Sequence, residues 1–237
     1  MNRPPYISFK DWDILNSKYS STELEEYFNK NYPYQYLIGD VDFCDNKILV
    51  NENVLIPRFE TEELVYKLVD IINKRTIKNL KVLDLCTGSG CIIISLAKML
   101  SGEFTGVDIS YKALELAKEN AKLNEVNIEF VNKDILKETI SGDYDVIVSN
   151  PPYVKYDEEV GASTKFEPQI ALFADNEGLE FYSTIINNYN ANIFAFEIGC
   201  TQKDAVINIA KEKYPQANIY CEQDMSGFDR YIFIINE

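Results

Sequence analysis

The sequence contains no histidine. Histidine is the usual general base beside a serine or cysteine nucleophile and the commonest side-chain metal ligand. Its absence excludes Ser-His and Cys-His catalysis and every histidine-ligated metal site. The chemistry must therefore use carboxylates, amides, hydroxyls, backbone groups or an organic cofactor, and we predict no metal site.

Cysteine is scarce, and no two cysteines have the C-x-x-C spacing of a redox or zinc motif. The five are Cys44, Cys86, Cys91, Cys200 and Cys221. An odd number of scattered cysteines is typical of reduced thiols in a cytosolic protein. The first residues, MNRPPYISFKDWD, lack the apolar stretch of a signal peptide, and no apolar run approaches the roughly 20 residues that span a bilayer. We expect a cytoplasmic protein with no membrane partner.

Positive charge is also in short supply, with 23 Lys and Arg against 38 Asp and Glu and a formal net charge of −15. A domain that binds a nucleic-acid backbone usually presents a basic face, and this overall field repels phosphate. We therefore expect no direct nucleic-acid partner. Hydrophobic residues make up 46% of the 237 residues, enough for one large α/β domain with a small appendage or for two small domains.

The order of the predicted elements indicates the fold class. A helix is predicted over 21–31, a β-hairpin over 41–56 and a helix over 60–74, after which strands and helices alternate. The predicted strands are 81–85, 103–108, 128–132, 144–150, 192–199, 219–222 and 230–235, and no helix separates the last two. This pattern predicts an α/β protein with a doubly wound, Rossmann-like, seven-stranded sheet, a final antiparallel hairpin, and a short N-terminal helical segment with a β-hairpin.

A glycine-containing loop, DLCTGSGC (84–91), joins the first predicted strand of this sheet to a helix. Glycines at 88 and 90 allow close approach of a ligand and a sharp turn into the helix. A dinucleotide fingerprint would need a third glycine at position 93, where the sequence has Ile93. By themselves the two glycines fit an ordinary strand–helix turn equally well.

Asp108 ends the next predicted strand, about twenty residues after the glycines. An acidic residue at that place accepts hydrogen bonds from a ribose diol. Alone, such an acid is more often a helix cap. Combined with the glycine loop, Asp108 predicts a cofactor that contains adenosine.

Asn150, Pro151, Pro152 and Tyr153 follow the apolar strand YDVIVSN. Two prolines fix the backbone and remove two N–H donors, so hydrogen-bond acceptors dominate this turn. The Asn150 side-chain oxygen and the Pro151 carbonyl can bind both hydrogens of an NH₂ group, and the Tyr153 ring can stack on the plane that carries the nitrogen. The alternative is a rigid turn that only ends the strand.

The Asn-Pro-Pro-Tyr string after the fourth strand resembles the signature of methyltransferases that act on amide or amino nitrogens. Within them, the chain from about Tyr34 to its end is similar to the HemK-type glutamine methyltransferases of class-1 peptide release factors. The strings that carry the resemblance are YQYLIG (34–39), VLIPRFETEELV (54–65), VLDLCTGSGCI (82–92), NPPYV (150–154), FEP (166–168), E-x-G-x-x-Q (197–202) and D-x-x-G-x-D-R (224–230). Cys86 stands where that family usually has glycine, Phe59 stands where it has proline, and the family's N-terminal helical domain is shortened here.

The resemblance implies S-adenosylmethionine as methyl donor. It implies an amino-acid end of the cofactor at Cys86, Thr87, Gly88, Ser89 and Gly90, a ribose at Asp108 and Ile109, an adenine at Asp134 and Ile135, and a contact from Asn150. Asn150, Pro151 and Tyr153 would be catalytic, and Asn150 to Tyr153 would bind substrate. Arg58 and Glu197 also match family residues, and we interpret them as structural.

The resemblance further implies that residues 1–57 bind substrate and that 58–237 form the methyltransferase domain. The expected partner is a class-1 release factor, methylated on the glutamine of its Gly-Gly-Gln motif. Three alternatives stay open: a ribosomal-protein glutamine, an exocyclic amino group of a nucleic-acid base, and a non-catalytic protein that only binds the cofactor.

Overall fold

Nine strands form a two-stranded hairpin and one seven-stranded sheet in the computed structural model, which describes residues 2–75, 77 and 79–236. The strands are β1 (Asp40–Phe43), β2 (Asn46–Leu49), β3 (Leu80–Leu85), β4 (Gly102–Asp108), β5 (Glu129–Asn132), β6 (Tyr144–Ser149), β7 (Ala191–Glu197), β8 (Asn218–Gln223) and β9 (Asp229–Ile235). The order in the large sheet is β5-β4-β3-β6-β7-β9-β8. All neighbours are parallel except β9, which is antiparallel to β7 and β8. The predicted doubly wound sheet and its terminal hairpin are confirmed.

The strand order reverses between β3 and β6, which lie side by side with Leu85 opposite Ser149. At such a reversal the connections leave towards opposite faces of the sheet, so a crevice opens beyond the carboxyl ends of the two strands. The glycine loop follows β3 and Asn150 follows β6. The topology therefore brings the two most informative strings of the sequence to the same crevice.

Helices cover both faces of the sheet and make up the N-terminal segment. They are α1 (Phe9–Lys18), α2 (Ser21–Asn29), α3 (Tyr34–Ile38), α4 (Phe59–Asn73), α5 (Cys91–Met99), α6 (Tyr111–Leu123), α7 (Asp175–Gly178), α8 (Glu180–Asn188) and α9 (Lys203–Lys213). Ser110 caps α6, since its hydroxyl accepts from the Ala113 N–H. The sequence patterns did not reveal α1, which Ser8 caps in the same way. Among the described helices, none combines the length and apolar character that a bilayer span requires.

The predicted hairpin over 41–56 is too long. Strand β2 ends at Leu49, and the Val54 N–H donates to the Asn51 carbonyl in a turn. Val54 and Ile56 are nonetheless buried, at 1% and 2% exposure. Their apolar spacing reflects packing of a loop into the core, which period-two alternation by itself cannot distinguish from a strand.

The hairpin and the N-terminal helices bury their apolar side chains in different places. Phe43 and Ile48 of the hairpin belong to the apolar cluster that α4, α5 and one face of the sheet share. The helices α1 to α3 instead bury a small cluster of their own, made of Ile7, Leu15, Leu24, Leu37 and Ile38. The hairpin is thus continuous with the core of the sheet.

Candidate active site

A cavity of about 480 Å³ lies at the crevice beyond β3, β4 and β6. Nearly all residues predicted for the cofactor line it: Cys86, Thr87, Gly88, Ser89, Asp108, Ile109, Asp134, Ile135 and Asn150. Gly90 is the predicted residue that does not line the cavity. It is the N-cap residue of α5, with φ +80°, and a Cβ there would approach Ile94 Cδ1 at 3.1 Å and Ala117 Cβ at 3.2 Å. Gly90 therefore allows the turn and the close helix packing.

Cys86 adopts the left-handed conformation, with φ +63°. This conformation costs a non-glycine residue about 1–2 kcal/mol. The left-handed conformation explains why glycine suits this position, and Cys86 departs from the family pattern at this cost. Cys86 is half-buried at the cavity wall, and desolvation of its thiol raises the pKa well above the ordinary value and keeps it protonated.

Asp108 holds the glycine loop in place as well as lining the cavity. Its Oδ2 accepts from the Gly88 N–H at 2.8 Å, and its Oδ1 accepts from the Ser110 N–H at 2.8 Å. Burial raises the pKa of Asp108, and these backbone donors oppose the rise. Each carboxylate oxygen has a second lone pair, so Asp108 can still accept bonds from a ligand diol.

Asp84 lies beneath the glycine loop and is fully buried. Its Oδ2 accepts from the Thr87 hydroxyl at 2.6 Å, whereas its Oδ1 has no partner among the described residues. Burial raises the pKa of Asp84 to about 7. An orphaned buried carboxylate oxygen is costly unless a donor reaches it, so this site suits a bound water.

Asn150 lines the cavity together with Pro152. The Asn150 Nδ2 donates to the Thr61 hydroxyl oxygen at 3.2 Å. The Oδ1 of Asn150 accepts no hydrogen bond from the part of the chain that the structure describes. The predicted acceptor is therefore present at the cavity and uncommitted.

Pro151 and Tyr153 do not line the cavity. Pro151 is buried, and the Tyr153 ring packs against the apolar cluster on one face of the sheet. The Tyr153 hydroxyl donates to Glu197 Oε1 at 3.4 Å, and burial raises the pKa of this tyrosine above its usual range. In this arrangement Tyr153 supports the loop, and stacking on a target plane stays a prediction.

Three side chains hold the Asn-Pro-Pro-Tyr loop: Thr61, Glu197 and Gln202. The sequence patterns did not place them in the site. Thr61 donates to Glu197 Oε2 at 2.7 Å. Gln202 Nε2 lies 3.0 Å from the Tyr153 carbonyl oxygen and 3.2 Å from that of Glu177. The strings ETE and E-x-G-x-x-Q contain these residues. The family resemblance therefore marked their positions but did not indicate which hydrogen bonds they form.

Arg58 and Glu167 explain two further strings of the resemblance. The Arg58 guanidinium pairs with Glu167 Oε1 at 2.5 Å, and Glu167 Oε2 accepts from the Ile56 N–H at 3.0 Å. The Glu167 side chain is only 1% exposed, so this pair is partly desolvated. The segment at 56–58 is therefore bound to the segment at 166–168. Arg58 also lines the cavity.

Comparison with known proteins points to methyl transfer. The family model described as methyltransferase small domain matches residues 63–166. A release factor glutamine methyltransferase of Lactococcus lactis is 43% identical over 223 residues, which are 90% of this chain and 81% of that protein. The protein of the same name from Flavobacterium psychrophilum is 42% identical over 212 residues, 84% of this chain and 74% of that protein. Magnesium protoporphyrin IX methyltransferase from Synechocystis, solved with SAM bound, shares the fold at 16% identity with a TM-score of 0.54, covering 99% of this chain and 100% of that one.

Proposed function

Because the chain belongs to the family of release factor glutamine methyltransferases, we propose that it methylates the glutamine of the Gly-Gly-Gln motif in class-1 peptide chain release factors. The accepting atom is the side-chain amide nitrogen, N5, and the donor is S-adenosylmethionine. The observation that carries the proposal is the uncommitted Asn150 Oδ1 at the cavity, with the opposite end of its amide bound to Thr61.

The cavity fits the cofactor by its donor and acceptor groups. Asp108 offers acceptors for a ribose diol beside Ile109, and Asp134 and Ile135 line the neighbouring wall where an adenine would lie. The orphaned Asp84 Oδ1 lies beneath the loop that would hold the amino-acid end. When bound, S-adenosylmethionine supplies an electrophilic methyl group on a sulfonium.

The chain's own contribution is to bind and orient the amide. An amide nitrogen is a weak nucleophile because its lone pair is delocalised into the carbonyl. Asn150 Oδ1 accepts one of its two hydrogens at the cavity and so fixes the direction of the nitrogen. The Pro151 carbonyl oxygen stays the predicted acceptor of the other hydrogen, although Pro151 is buried and does not line the cavity. Positioning of this kind, with fixed dipoles, accounts for most of the rate enhancement expected here.

Residues 1–57 supply the surface for the protein substrate in this proposal. A second cavity of about 380 Å³ lies between the N-terminal helices and the loop at 162–167. Its wall is aromatic, with Tyr6, Phe28, Tyr32 and Tyr34, and Arg58 lines both cavities. A release factor can thus contact the second cavity while its loop enters the first. The unpaired cysteines of the described chain are consistent with a cytoplasmic reaction.

Two other substrates remain as outcomes of experiment. A ribosomal-protein glutamine presents the same amide to Asn150, and incubation of ribosomal proteins with the enzyme followed by mass spectrometry distinguishes it. A nucleic-acid amino group is disfavoured by the net charge of −15. Binding to RNA or DNA that weakens steeply with salt would support that second alternative.

We expect whole release factor to be methylated on this one glutamine and a short Gly-Gly-Gln peptide to be a much poorer substrate. Binding energy from the remote surface at residues 1–57 raises turnover as well as affinity. Rates with both substrates, followed by peptide mapping of the product, test this. A methyl group on another residue, or equal rates for factor and peptide, would contradict the proposal.

We expect Asp108→Ala to weaken S-adenosylmethionine binding by about 10- to 100-fold, the equivalent of a hydrogen bond to a charged acceptor. The variant also releases the Gly88 N–H, so part of the loss comes from a looser loop. Calorimetric titration measures the affinity. Asp143→Ala removes an exposed carboxylate as the control, and unchanged affinity in a folded Asp108→Ala protein would remove Asp108 from the ribose site.

A further inference from the structure

Asn150 is the end of a chain of hydrogen bonds that crosses three elements. Asn150 follows β6, Thr61 lies in the first turn of α4, and Glu197 is the last residue of β7. Asn150 Nδ2 donates to Thr61 Oγ1 at 3.2 Å, and Thr61 Oγ1 donates to Glu197 Oε2 at 2.7 Å. Thr61 and Glu197 are each 2% exposed, so water does not compete for these groups.

We propose that Thr61 is a positioning residue that sets the polarity of Asn150, so that the acceptor end of the amide faces the target and selects an NH₂ group. This inference rests on the proposed function, because it concerns the amide that the enzyme binds. Thr61 would act through Asn150 and need not touch the reacting atoms.

The number of protons on each group decides the direction of these hydrogen bonds. A threonine hydroxyl has one proton to donate and two lone pairs to accept. Burial raises the pKa of Glu197 to about 7, so the ionised carboxylate is the main form at pH 8. The single Thr61 proton then goes to the carboxylate, because a buried charge without its donor is more costly than a neutral group without one.

With its proton committed to Glu197, Thr61 can only accept from Asn150. The two ends of an asparagine amide have nearly the same size, and packing alone does not choose between them. The hydrogen bond with Thr61 therefore fixes the orientation of the Asn150 amide, since only the Nδ2 end can donate to the Thr61 hydroxyl oxygen. The Oδ1 end is left for the cavity, where it accepts from an amide NH₂ and repels a carboxylate of the same shape.

The neighbours of Glu197 reinforce this polarity. The Tyr153 hydroxyl donates to Glu197 Oε1 at 3.4 Å, and the positive charge of Arg230 favours the ionised form. Arg230 is held in turn by Asp224 at 3.1 Å. The ionised Glu197 therefore accepts at both oxygens, and in that form it has no proton that could reverse the direction of the Thr61 bond.

The test compares Thr61→Val, which keeps the shape and removes the hydroxyl, with Thr61→Ser, which keeps the hydroxyl. Assays at pH 8 use whole release factor as substrate and the same factor with its target glutamine changed to glutamate as competitive inhibitor. In Thr61→Val we expect kcat to fall about 10- to 100-fold and S-adenosylmethionine affinity to stay within about twofold.

The decisive readout is the discrimination ratio, defined as the inhibition constant of the glutamate factor divided by the KM of the glutamine factor. Once Asn150 is free to present its NH₂ end, we expect this ratio to fall about tenfold in Thr61→Val and to remain at the wild-type value in Thr61→Ser. Thr105→Val, a buried threonine on β4 outside the cavity, is the control for the substitution itself. If Thr61→Val does not fold, Thr61→Cys is expected to shift the ratio in the same direction, because a thiol is a weak donor and acceptor.

An unchanged ratio in Thr61→Val, or a serine variant that behaves like the valine variant, would overturn the role of Thr61 while leaving the substrate proposal intact. Failure of the wild-type enzyme to methylate the release factor would overturn the proposed function and, with it, the selection of an amide by this relay.

Discussion

Asn150→Ala should reduce methyl transfer by about 100-fold or more while S-adenosylmethionine affinity changes little. The variant removes the uncommitted side-chain acceptor of the Asn-Pro-Pro-Tyr loop. One hydrogen of the target amide then has no acceptor, and the nitrogen is no longer held in one direction. Positional errors of about 1 Å carry rate losses of this size. Single-turnover measurements with whole release factor separate the chemical step from binding.

Asn187→Ala is the matched control for this substitution. Asn187 is exposed on α8, and its side chain donates to Ser183 of the same helix. The control is expected to keep full turnover. Near-normal single-turnover rates in Asn150→Ala would reject the amide-binding role of Asn150 and, with it, the central contact of the proposed mechanism.

Gly178→Ala is expected to destabilise the protein by about 2–4 kcal/mol and to lower turnover at least about tenfold. Gly178 has φ +77°, and a Cβ there would lie 2.1 Å from the Tyr153 carbonyl oxygen and 2.5 Å from Gln202 Nε2. The backbone of the Asn-Pro-Pro-Tyr loop must move to admit a methyl group. Denaturant unfolding and methyl-transfer rates measure the two effects.

Substitutions at two other glycines separate the effect of backbone strain from the effect of the steric contact with Tyr153. Gly227→Ala introduces the same backbone strain, with φ +83° and nothing within 4 Å of the new Cβ. Gly161→Ala introduces neither strain nor contact. We expect full turnover in both and a small stability loss only at Gly227. If Gly178→Ala matches Gly227→Ala in stability and turnover, the close approach to Tyr153 does not constrain the site.

The Gly178 contact also explains why α7 is unusual. Asn176 and Glu177 both have left-handed backbone angles, with φ +53° and +58°. Gln202 Nε2 donates to carbonyl oxygens in this segment and to that of Tyr153. Since left-handed conformations of non-glycine residues persist only where the surroundings hold them, Gln202 stabilises a strained turn that supports the Asn-Pro-Pro-Tyr loop.

The sequence by itself determined the sheet, its doubly wound class and the glycine loop with Asp108. Strand–helix alternation and helix caps are local signals, because they depend on residues close in the chain. The left-handed angles at Gly88 and Gly90 follow from the same local chemistry. Asn150 could be singled out for a related reason, since two prolines after a buried strand leave few donors at the turn.

Only the tertiary structure decided which residues hold Asn150. Thr61 is 89 positions away from it in the chain, and Glu197 is 136 positions away from Thr61. Their hydrogen bonds exist because the carboxyl ends of β6 and β7 lie beside the first turn of α4. The hairpin shows the same limit, since Val54 and Ile56 have the spacing of a strand but are buried from a loop. Burial and hydrogen-bond partners are properties of the packed chain, and no local pattern specifies which distant element will supply them.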